Sequence, residues 1–114
     1  MWFLRKIFIM ALKYWAFIYL SPGFDQVINT TESVSEHCRF KAIGIDVFQK
    51  EQVIEVAKEL VVEGCQTIEI CGGFGPYWVS KVSEAIDYKI PVGGVMYGPE
   101  FRKPLFELMQ FEQK

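Results

Sequence analysis

A chain of 114 residues is one domain by length, and a composition of 51% hydrophobic and 23% charged residues excludes a disordered chain. The net charge of −2, with no clustered stripe of Lys and Arg, excludes a nucleic-acid footprint. Cys38, Cys65, Cys71 and the single histidine, His37, show no metal-ligand spacing, so no metal is expected and the thiols fit a reduced, cytoplasmic setting.

Residues 1–20 are apolar except for Arg5, Lys6 and Lys13. A membrane span is disfavoured, because Lys13 would sit near its middle at a cost of about 2.5–3.5 kcal/mol. The apolar run between Lys6 and Lys13 is too short for a signal peptide, and no small-residue cleavage site follows it. Residues 1–9 are therefore expected to be an extension or a mis-assigned start ahead of Met10, with residues 10–114 forming the domain.

Tyr14–Leu20 is aromatic and β-branched, lacks a polar face and ends at Ser21-Pro22-Gly23, which predicts a strand covered on both sides. Residues 24–37 are polar and predict a loop. Arg39–Ile45 reads as the second strand. From Gln49 to Glu63, Val53, Val56, Ala57, Leu60 and Val61 recur at helical spacing, with Asp46 or a neighbour as cap and Gly64 as stop. Gln66–Cys71 predicts a short third strand, Pro76–Asp87 a second helix, and Ile90–Tyr97 a fourth strand. The tail predicts a terminal helix from Pro104.

Helical connections between apolar strands require parallel pairing. The predicted fold is α/β: a small, mainly parallel four-stranded sheet with a β-α-β-α-β core, Rossmann-like or half-barrel-like, plus a C-terminal tail or short helix. Ten Phe, five Tyr and three Trp exceed what a small monomer easily hides, which predicts a homo-oligomer. Phe101, Phe106 and Phe111 suit packing or oligomer contacts.

In a parallel sheet, ligands collect at the carboxyl ends of the strands. The sharpest feature there is Gly72-Gly73-Phe74-Gly75-Pro76, between a strand and a helix. Glycines admit a ligand close to the backbone, and the first amides of the helix favour negative charge. Two readings stand side by side: a tight turn needing positive φ, and a site for a small anionic or phosphorylated ligand at Gly72, Gly73, Phe74 and Gly75. Neither the P-loop nor the dinucleotide spacing is present, so no cofactor is expected.

Cys71 precedes the helix, where the dipole favours a thiolate, and Glu69 shares its strand face two residues earlier. These are the catalytic candidates, suited to lyase- or isomerase-type proton transfer. A buried structural thiol and an interface carboxylate are the alternatives. His37 reads as solvated, and Asp25 and Asp46 as turn or cap residues.

Lys13–Asp25, Glu59–Pro76 and Lys89–Gly98 together resemble a family of short prokaryotic α/β proteins of unknown function, most specifically in the Glu-x-Cys-Gly-Gly-Phe-Gly-Pro run at Glu69–Pro76. The resemblance implies the α/β fold and a start at Met10, and it implies no activity. The leading functional reading is an anion-binding domain. The alternative is a non-catalytic homo-oligomeric assembly or regulatory protein.

Overall fold

Strand β1 (Tyr14–Leu20) forms the middle of the sheet because its alternation leaves Tyr14, Ala16 and Ile18 fully usable as core. The computed structural model describes residues 10–110; the expectations for residues 1–9 and for Phe111 fall outside these. The other strands are β2 (Thr30–Val34), β3 (Arg39–Ile45), β4 (Thr67–Ile70) and β5 (Val92–Gly94). Helix α1 spans Gln52–Val62 and α2 spans Gly75–Ala85. A 3-10 turn at Pro99–Phe101 leads into α3 (Arg102–Leu108).

The sheet has five strands in the order β2-β3-β1-β4-β5. β3, β1, β4 and β5 run parallel, with Leu20 level with Ile45, Ile18 with Ile70, and Ile70 with Gly94. The expected parallel core is therefore present, but the expected count of four strands is corrected to five. The extra strand lies in the stretch read as a loop: β2 pairs antiparallel with β3 as a hairpin, Glu32 opposite Lys41. β5 is shorter than expected, three residues following Pro91.

Both crossovers, β3 to β4 through α1 and β4 to β5 through α2, step in the same direction across the sheet. Connections of one hand that step in one direction place their helices on one face. Accordingly α1 and α2 touch each other, and one core joins Ala16, Ile18, Ile45, Ile68 and Ile70 to Val53, Ala57 and Leu60 of α1 and Val82 of α2. Of the two faces of β1 expected to be covered, α1 and α2 cover one. The other carries Trp15, Phe17 and Tyr19 of β1, level with Phe40, Ala42 and Gly44 of β3 and with Thr67 and Glu69 of β4. Trp15 stacks obliquely on Phe40 at 4.4 Å, and Phe24 folds edge-on against Tyr19 at 5.8 Å.

Helix α1 ends as expected at Gly64, with φ of +91°. Its start is not capped by Asp46; the residue before the helix is Glu51, whose side chain makes no capping bond.

Candidate functional site

Because four strands run parallel, their carboxyl ends deliver Ser21–Phe24, Asp46, Cys71–Gly75 and Val95–Gly98 to one rim. Backbone bonds knit this rim together: Ser21 N–H donates to Ile45 O at 2.9 Å and Val95 N–H to Ile70 O at 3.0 Å. The Asp46 carboxylate accepts from the Gly23 amide at 3.4 Å and from the Phe48 amide at 3.2 Å, tying two loops together.

Within the glycine run, each residue has a separate physical reason. Gly75 adopts φ of +78°, the left-handed turn that lets β4 pass into α2. Gly72 lies so close to the Tyr97 ring that an added methyl group would overlap it. Gly73 sits beside the flexible ends of Leu20 and Met109, which a Cβ would meet at 3.3 and 3.4 Å. Phe74 is buried in the core, its ring edge-on to Trp78 at 6.5 Å. Its amide closes the turn on Cys71 O at 3.1 Å. Among the described residues, the amides of Gly72 and Gly73 donate to nothing. They lie next to the start of α2, where Pro76 supplies no donor.

The two catalytic candidates have different surroundings. Cys71 is half-buried, and its Sγ accepts from the Leu20 amide at 3.3 Å. Glu69 is exposed on the sheet face opposite α1 and α2, level with Phe17 and Gly93. It borders a hollow of about 450 Å³ lined also by Leu12, Trp15, Thr67, Pro91 and Gly93. No hydrogen bond joins Glu69 to Cys71 among the described residues. Asp25 accepts from the Val27 amide at 2.7 Å, closing a local turn, and His37 is exposed.

A polar cluster that the sequence reading missed lies near the amino end of β1, on the helix-covered face. The Tyr14 hydroxyl donates to Glu63 Oε1 at 2.7 Å, and Lys41 Nζ donates to the same oxygen at 2.8 Å. The Arg39 guanidinium lies 4.3 Å from the centre of the Tyr14 ring and pairs with Glu32. Lys41 and then Tyr14 hold the Glu63 carboxyl below its ordinary range, whereas burial and then Glu63 push the Tyr14 phenol up. Beside this cluster is a groove of about 270 Å³, floored by Ile43, Val56 and Leu60 and edged by Glu59. The available signal was Arg39 and Lys41 at alternate positions in an otherwise apolar strand, on the same face as Tyr14.

Across residues 13–110 the sequence matches the model of a family of unknown function, DUF6506. The chain belongs to this family. No curated protein and no solved structure matches it. DUF6506 thus has in this chain a mixed α/β fold, and no helix of the described residues is long and apolar enough to cross a membrane.

Proposed function

We propose that this DUF6506 chain binds a small anionic or phosphorylated ligand at the carboxyl rim, on the shelf formed by Gly72 and Gly73. The observation that carries this reading is the pair of amides at Gly72 and Gly73 that donate to no described residue, adjoining the start of the eleven-residue helix α2. Backbone donors at a helix start complement negative charge without any cationic side chain. The Tyr97 ring lies against Gly72 and Met109 against Gly73, so a ligand on this shelf shares it with both. Gly75 and the backbone of Phe74 shape the turn, while the Phe74 ring belongs to the core. A reducing, cytoplasmic setting accords with three free thiols.

Thermal melting of the full chain against phosphate, sulfate, nucleotides and sugar phosphates tests the proposal. A ligand at a hundredfold its Kd adds about 2.7 kcal/mol of stability. At least one probe should raise the Tm, and Gly73→Asp should abolish that rise while keeping the native circular dichroism. If none of these anions moves the Tm, the reading is wrong.

A further inference from the structure

We infer that the chain forms a two-fold dimer in which helix α3 of each copy docks on the sheet face opposite α1 and α2 of the other. Two apolar surfaces have no covering helix among the described residues. The sheet face carries Trp15, Phe17 and Phe40, and Trp15 lines a hollow with Leu12, Thr67, Glu69, Pro91 and Gly93. A Cβ added at Gly93 would meet nothing within 4 Å, so the hollow is open above that strand. The second surface is the segment from Val95 to Met109. Met96, Phe101, Phe106 and Leu108 on it are 80%, 55%, 65% and 81% exposed. An amphipathic element has to bury its apolar side against another element, and the principal contacts of α3 are with the 3-10 turn just before it.

The charges also match. Glu69 is the charged residue on the face of β1 and β4 opposite α1 and α2, and no ion pair among the described residues includes it. Arg102 and Lys103, in the first turn of α3, are exposed and likewise unpaired among the described residues. Within one copy no ion pair joins them among the described residues: α3 leads to Met109 at the carboxyl rim against Gly73, whereas the hollow that Glu69 borders is lined by Leu12, Trp15, Thr67 and Pro91, toward the amino ends of β1 and β4. A two-fold axis makes every such contact twice, once for each arm. It also removes from water the apolar segment that a monomer leaves exposed.

Sedimentation of the full chain at micromolar concentration should give a dimer. Gly93→Phe puts a ring into the hollow from a position where a Cβ meets nothing within 4 Å, and should weaken the dimer by about tenfold or more in Kd. Glu69→Lys alone, and Arg102→Glu with Lys103→Glu, should each weaken it similarly, while the three changes together restore it. Circular dichroism verifies that each variant is folded. A monomeric wild-type chain overturns the proposal, as does a dimer indifferent to Gly93→Phe or a charge swap that fails to rescue. Anion binding at the rim is read separately by melting, so either result can fail without the other.

Discussion

The hydroxyl of Tyr14, the first residue of β1, donates at 2.7 Å to the carboxylate of Glu63, the residue that follows α1. This bond fastens the end of the first crossover helix to the sheet's central strand. Tyr14→Phe keeps the ring beneath Arg39 and removes only the bond, so chemical denaturation should show a loss of about 1 kcal/mol.

The same pair makes stability depend on pH at both extremes. Glu63 titrates below the ordinary carboxylate range, chiefly through Lys41 and then Tyr14. As pH falls below about 4.3, the unfolded chain takes up this proton before the folded one does, and stability declines. Glu63→Gln should be less stable than wild type near neutrality and lose less on acidification, measured as urea midpoints. Tyr14 titrates above its ordinary range, chiefly through burial. Above about pH 10 the unfolded phenol ionises first, so stability should fall with rising pH, and Tyr14→Phe should lose less.

Gly72 and Tyr97 form a second coupled pair, since a methyl group on Gly72 would overlap the Tyr97 ring. Gly72→Ala should destabilise by about 1–3 kcal/mol. Tyr97 is 50% exposed and removable, and in a Tyr97→Ala background most of the Gly72→Ala cost should vanish. A double-mutant cycle by urea unfolding measures this; additive effects would show that the ring does not explain the glycine.

Helix α2 ends through two non-glycine residues in the left-handed region, Asp87 at φ 55° and Tyr88 at φ 56°. Such a residue costs roughly 1–2 kcal/mol relative to glycine. Tyr88 is 72% exposed and has little packing to lose. Tyr88→Gly should therefore raise stability by about 0.5–1 kcal/mol after the added flexibility of the unfolded chain is deducted. A lowered Tm would show that the tyrosine ring contributes more than its exposure suggests.

The three thiols should react at different rates. Cys65 is 3% exposed, and burial pushes its thiol pKa up. Cys38 and Cys71 are half-buried. Timed alkylation of the native protein, read by mass spectrometry, should modify Cys65 last, and all three should react alike in denaturant.

The parts of the fold legible in the sequence are those where one local signal dominates. Tyr14–Leu20 and Arg39–Ile45 occur as strands over the residues the apolar runs marked, and α1 and α2 follow their helical spacing. Thr30–Val34 carried no such signal: an edge strand exposed over most of its length has no apolar alternation to display. The number of helix-covered faces was equally hidden, because it depends on strand order, and β1 lies between two strands that follow it in the chain. In the glycine run, the left-handed position at Gly75 was readable from its place before a helix. The reason for Gly72 was not, since it is a ring brought from Tyr97 by the β5 connection.

The two margins of the sheet have a consequence for how this protein can assemble. On one side β2 presents threonine, serine and a glutamate paired to Arg39; on the other, β5 offers only three residues after a proline. Both borders are short, and β2 carries a charged side chain, features that discourage further chains from hydrogen-bonding strand by strand. Crowding should consequently favour the proposed two-fold pairing, which stops once the broad side is covered, over fibrils that extend the sheet.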